Sequence, residues 1–230
     1  MNRIVGIKAI SFDGDGTLWD FEKVMRHSFY HVLKELKQID PHAATMLDIK
    51  RMIQIRNRVA NELRGRVTNL ERIRLEAFRQ TLKDIGRPND ALASHLNQIY
   101  LKHRFEDIEL FDDVLPTLKA LRIKYILGLL SNGNSYPERC GLESMFQFVV
   151  LSQDYGVEKP NPMLFQIGVE KARCSKQELL HIGDSLHDDI MGANNAGIKC
   201  IWLNRKQVKN DLNIRVDYEI SSLLELREIL

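Results

Sequence analysis

The stretch IVGIKAISFDGDGTLW, residues 4–19, decides the fold. It is apolar and β-branched as far as Phe12, as a buried strand is, and then stops at Asp13-Gly14-Asp15-Gly16-Thr17. The spacing predicts a strand over 4–12, with two carboxylates two residues apart just beyond its carboxyl end. The same grammar returns from about residue 112. A helix (113–122) leads to a strand (125–131), then a strand (146–152), a helix (162–172), a strand (179–183), a helix (188–196) and a strand (198–203). Continuous apolar strands alternating with helices imply β-α-β units and a parallel sheet covered on both faces.

Between these parts, from about Glu22 to Asp107, the period is helical. Segments 24–36, 46–63, 70–86 and 90–105 carry apolar residues at i, i+3 and i+4, with breaks expected at Pro41 and Pro88 and a C-cap at Gly86. The reading is an α/β core with a doubly wound, Rossmann-like parallel sheet, residues 1–20 and 109–230, carrying an inserted α-helical cap, residues 21–108. Residues 21–108 hold 17 Lys/Arg against 11 Asp/Glu, a charge of +6, while the remainder carries −4. Eight basic residues fall within 50–74, among them Arg56, Arg58, Arg64 and Arg66. Two readings stay open for them, a solvated helix face and a lid that attracts an anionic substrate.

Composition narrows the class. The 230 residues carry a net charge of only +2, too balanced for a dedicated nucleic-acid binder. The longest apolar run, around 125–130, is far shorter than the roughly 20 residues of a membrane helix. The start MNRIVGIKAI has no apolar leader or cleavage site, and Cys140, Cys174 and Cys200 form no C-x-x-C pair. These features predict a cytoplasmic protein that does not engage membranes, disulfides or cysteine-bound zinc. The seven histidines are scattered and read as structural.

Ligand crevices of open parallel sheets lie outside the strands' carboxyl ends. Four such ends carry Asp13 and Asp15, then Ser131-Asn132-Gly133, then Lys159-Pro160, then Asp184 with Asp188 and Asp189. Carboxylates gathered on one rim require a counter-ion, and oxygen donors without His or Cys favour Mg2+ over Zn2+. Other motifs fail. An EF-hand loop counted from Asp13 puts Leu18 at its glycine and Val24 at its glutamate, no G-x-G-x-x-G follows the first strand, and 192–199 is only a loose Walker A loop.

FDGDGTL (12–18), SNG (131–133), K-P (159–160) and IGDSLHDDIMGANNAG (182–197) together resemble the four ordered motifs of the haloacid dehalogenase-type hydrolases, in the branch with a helical cap after the first motif. Gly14 stands where a bulky apolar residue is more usual, and Asp188 where Asn is common. The resemblance implies a Mg2+-dependent phosphatase acting on a small phosphorylated metabolite. Asp13 would be the nucleophile forming an aspartyl-phosphate, and Asp15 the acid/base. Thr17, Ser131, Asn132 and Lys159 would meet the phosphate, and Asp13, the Asp15 main chain and Asp184 would hold Mg2+. Asp189, or Asp188, would orient water or Lys159. A phosphomutase or 2-haloacid dehalogenase of the same fold, or a non-catalytic regulatory domain, are the competing readings. The protein is expected as a monomer or homodimer.

Overall fold

The computed structural model describes residues 3–230 and contains two compact units, Met1–Asp20 with Glu109–Leu230 and the intervening Phe21–Ile108. The first is built on a six-stranded parallel sheet: β1 Ala9–Phe12, β2 Ile126–Ser131, β3 Phe148–Leu151, β4 Leu179–Gly183, β5 Lys199–Leu203 and β6 Tyr218–Ile220, in the order β3-β2-β1-β4-β5-β6. β1, wholly buried between β2 and β4, is where strand order reverses, the position at which α/β sheets open a crevice. It is shorter than the predicted 4–12. Gly6 takes a left-handed φ of +82°, and the Ile4 N–H bonds Ile229 O, so the chain before Lys8 leaves the ladder toward its C-terminal helix. β6 escapes sequence reading because three residues at a sheet edge show no period.

The second unit is helical: α1 Phe21–Ile39, α2 Pro41–Thr45, α3 Ile49–Leu63, α4 Leu70–Asp84 and α5 Asp90–Glu106. Asp40, Asp48, Asn69 and Asn89 each accept a backbone N–H of the helix they start. Asp48 moves the start of α3 three residues past the predicted Met46, and Pro41 opens α2 rather than marking only a break. Phe29, Phe78 and Tyr100 pack together in this unit, with ring centroids 4.9–6.2 Å apart, Phe78 and Tyr100 edge to face and the other two pairs tilted. The basic stretch is partly engaged: Arg58 pairs with Asp84 at 2.7 Å, and Arg56 lies over the Phe21 ring.

In the first unit the sheet is covered by α6 Val114–Leu121, α7 Ser152–Tyr155, α8 Pro162–Ala172, α9 Gly192–Ala196 and α10 Leu226–Ile229. Leu130, Val150, Leu164, Phe165, Val169 and Ala193 share one buried cluster. The helix expected over 188–196 is instead a π-helical turn, Leu186–Met191, continued by α9. No helix among the described residues is long and apolar enough to cross a membrane.

Candidate active site

Register brings the loops together. Phe12 pairs with Leu129 on one side and Ile182 on the other, so Asp13 follows β1 at the level of Leu130 and Gly183. The Asp13 N–H bonds Ile182 O at 2.8 Å. Gly16 bends the loop with φ +87°, and a Cβ there would lie 2.3 Å from Asp184 Oδ2. Only glycine meets both demands. On the other side, a Cβ at Gly133 would come within 3.1 Å of Asp15 Oδ2 and 3.4 Å of Ser131 Oγ.

The buried Lys159 ammonium organises the floor. It donates to Asp13 Oδ1 at 2.7 Å, Asp189 Oδ1 at 2.5 Å and Leu130 O at 3.1 Å. All three of its hydrogens are thereby engaged, so a direct contact from Lys159 to a phosphate means exchanging one of these bonds. Burial opposes its charge, but Asp13 and Asp189 outweigh that and raise its pKa above the usual lysine range.

Asp189 is fully bonded. Besides Lys159 it receives His181 Nε2 at 3.1 Å and, on Oδ2, the Ser185 N–H at 3.0 Å. Burial would lift its pKa, yet Lys159 and His181 hold it well below the carboxylate range. His181 Nδ1 meets Ser11 Oγ at 2.9 Å, and burial lowers this histidine's pKa. The network therefore fits a neutral ring that donates through Nε2 and accepts from Ser11. The π turn makes the arrangement possible: the Ser185 carbonyl accepts from Ile190, five residues on, while Asp189 turns inward and Asp188 outward onto His187. The cap of this turn is Ser185 Oγ, which accepts the Asp188 N–H, rather than either aspartate.

Asp13, Asp184 and Asp189 each place a carboxylate oxygen within 4.8 Å of the other two, a group able to hold a metal ion. Burial first, then Asp189 and Asp15 against the opposing Lys159, push Asp13 up to about 7. Asp184, an exposed residue beside this buried pair, is pushed up by the protein around it and by Asp13 and Asp189. These are the shifts of carboxylates awaiting a cation.

The remaining residues sort as follows. Thr17 Oγ1 is buried without a hydrogen-bond partner, and Ser131 Oγ accepts the Gly133 N–H, leaving its own hydrogen to donate. Asn132 clasps the Lys159 main chain at both ends of its carboxamide, Oδ1 accepting at 2.7 Å and Nδ2 donating at 3.0 Å. Trp19 and His181 are site residues that the motifs do not name. The Trp19 ring occupies the space a side chain at Gly14 would fill, 2.6 Å from its Cβ position, and its Nε1–H donates to Asp15 Oδ1 at 2.6 Å. The unusual Gly14 was the available sequence signal.

This sheet, with a rim of acids and one buried lysine at its switch point, defines a Rossmann-like α/β core whose candidate site lies at the carboxyl ends of its strands. Residues 10–203 match the sequence model of the Haloacid dehalogenase-like hydrolases, and the chain belongs to that family. It is 28% identical to the glyceraldehyde 3-phosphate phosphatase of Methanopyrus kandleri, over 97% of each chain. Among solved structures it is similar to 2-haloacid dehalogenase from Pseudomonas syringae pv. Tomato (30% identity, 97% of each chain, TM-score 0.82). It is also similar to the HAD-hydrolase YfnB of Bacillus subtilis, solved with magnesium bound (26%, 97% and 98%, TM-score 0.78).

Proposed function

We propose that this chain is a Mg2+-dependent phosphatase that hydrolyses a small phosphate monoester through an aspartyl-phosphate on Asp13. The observation that carries the reading is the separate anchoring of two carboxyls two residues apart, Asp13 by Lys159 and Asp15 by Trp19. A pair held apart in this way can divide the work of nucleophile and acid/base. Asp13 attacks phosphorus in line, the phosphorus–oxygen ester bond breaks, and Asp15 gives its proton to the departing alkoxide. Asp15 then takes a proton from the water that attacks the phosphoaspartate, releasing phosphate and restoring Asp13. The hydroxyls of Thr17 and Ser131 bind phosphoryl oxygens, and Asn132 and Asp189 hold Lys159 in place. Mg2+, held by Asp13, Asp184 and the Asp15 carbonyl, would supply the positive charge that keeps Asp13 ionised and an anionic ester close to it. Since Asp189 already accepts from three donors, it serves by orienting Lys159 rather than by facing the ion. Residues 21–108 act as the lid that selects the leaving group. The curated relative's phosphorylated triose sets the expected substrate scale. The free thiols of Cys140, Cys174 and Cys200 suit a reducing, cytoplasmic setting.

A 2-haloacid dehalogenase reading has the structural neighbour in its favour. Asp15 argues against it, because a departing halide needs no proton. Turnover of p-nitrophenyl phosphate and glycerol phosphate with Mg2+, lost in EDTA and in Asp13→Asn, is the expected result. Asp15→Asn should lose ~10²–10⁴-fold on the alkyl ester and less on the nitrophenyl ester, whose leaving group needs little protonation. Wild-type rates on the alkyl ester in Asp15→Asn would favour the dehalogenase.

A further inference from the structure

Within Phe21–Ile108, two helices turn a pair of donors each toward one point. His27 and His31 lie four residues apart on α1, and His103 and Asp107 are spaced likewise at the end of α5, a separation that stacks side chains on one helix face. One donor atom from each of the four lies within 4.8 Å of those of the other three. His27 Nε2 is 3.2 Å from His31 Nε2 and 3.1 Å from Asp107 Oδ2, while His103 Nδ1 is 2.7 Å from the same Asp107 oxygen. The His31 and His103 rings lie parallel, centroids 3.6 Å apart. The single hydrogen a neutral His27 can carry at Nε2 cannot fully satisfy both facing groups, and two imidazole nitrogens at 3.2 Å share at most one proton between them.

We propose that His27, His31, His103 and Asp107 form a binding site for a first-row transition dication, Zn2+ above all, that clamps α1 to α5. Two atoms bound at about 2.05 Å to a tetrahedral ion are about 3.3 Å apart, close to the His27–His31 and His27–Asp107 spacings. Three imidazoles with one carboxylate suit Zn2+, Co2+, Ni2+ or Cu2+ and not the oxygen-seeking Mg2+ or Ca2+. This site is therefore chemically distinct from the Asp13–Asp184 group. The ion can enter, since the His27 side chain is 49% exposed and that of Asp107 34%. The inference stands independently of the phosphatase reading. Sequence reading treats these histidines as scattered because the two i, i+4 pairs are more than seventy residues apart and meet only in the folded unit.

Co2+ added to the EDTA-stripped, desalted full-length protein in excess Mg2+ tests the proposal. The wild type should bind one equivalent, with the intense visible bands of a four-coordinate ion, and Zn2+ should displace it. His27→Gln/His103→Gln should weaken Co2+ binding by at least ~10–100-fold, the loss that removal of even an outer partner of a ligand causes, while its Mg2+-supported activity stays unchanged. Absence of stoichiometric binding in the wild type, or undiminished binding in the double variant, would overturn the site. X-ray absorption of the Zn2+-loaded wild type needs no variant. It should show imidazole scattering, and an oxygen-only shell would equally end the proposal.

Discussion

Asp15 accepts the Trp19 indole N–H at 2.6 Å, and the indole itself stands in the space left by Gly14. Trp19 is thus a positioning residue in the proposed mechanism: it is 1% exposed and its one polar atom holds the carboxyl to which that mechanism assigns protonation of the leaving group. Trp19→Phe keeps much of the packing and removes that bond. It should lower kcat on alkyl phosphates by ~10-fold, about the worth of one hydrogen bond to a charged group, with a smaller effect on p-nitrophenyl phosphate and little change in KM. Equal losses on both substrates would make Trp19 a packing residue only. The acids, Lys159 and the small hydroxyl residues are legible in the sequence because they follow strands, where residue order fixes their place on the rim. Trp19, His181 and the clasp made by Asn132 are not. Their roles depend on which neighbour fills a vacant Cβ position, which strand lies alongside, and which loop passes within hydrogen-bond reach.

At the scale of elements, Asp113 ties together three segments of the first unit. It receives both Arg205 Nη groups at 2.8 Å, the Ser222 hydroxyl at 2.8 Å and the Leu223 N–H at 2.9 Å, beside the start of α6. Burial would raise its pKa, but these four donors hold it below the ordinary value. Such a carboxylate stabilises the fold above its unfolded pKa, and the contribution is lost as pH falls through the folded value. Asp113→Ala leaves the Arg205 charge, which also lies 4.1 Å from the Phe111 ring, without its carboxylate. The variant should lose about 2–4 kcal/mol in urea unfolding followed by circular dichroism at pH 7, and an unchanged midpoint would remove the clasp from the stability argument. Long helices and buried strands are legible here because their periods repeat several times. The five-residue α2, the three-residue β6, the late start of β1 and the π turn at Leu186–Met191 depend on one cap, one edge, one glycine and one five-residue hydrogen bond, and none of these leaves a period to read.

For the whole molecule, the acids of the rim link metal binding to stability. The fold holds a proton on Asp13 up to about pH 7 and raises Asp184 as well, whereas an unfolded aspartate releases its proton near 4. The folded state therefore binds more protons than the unfolded one across this range, and the metal-free protein loses stability as pH rises toward 8. His181 acts in the opposite sense, being neutral when folded, but its contribution is complete once pH exceeds the unfolded histidine value near 6.5. Asp189 is depressed, so its gain is already full above pH 5. Between pH 6.5 and 8 the two raised carboxyls thus set the slope. Mg2+ needs them ionised, so below pH 7 its apparent affinity should rise with pH by about tenfold per unit for each of the two protons that Asp13 and Asp184 must release. Thermal unfolding with and without saturating Mg2+ reads this directly. The metal-free Tm should fall from pH 6.5 to 8, and the Mg2+-induced increase in Tm should be larger at pH 8. Asp184→Asn should flatten both trends while the protein still folds. A Mg2+ effect of the same size at both pH values in the wild type would mean that the ion does not displace protons from Asp13 and Asp184, and would move its site elsewhere.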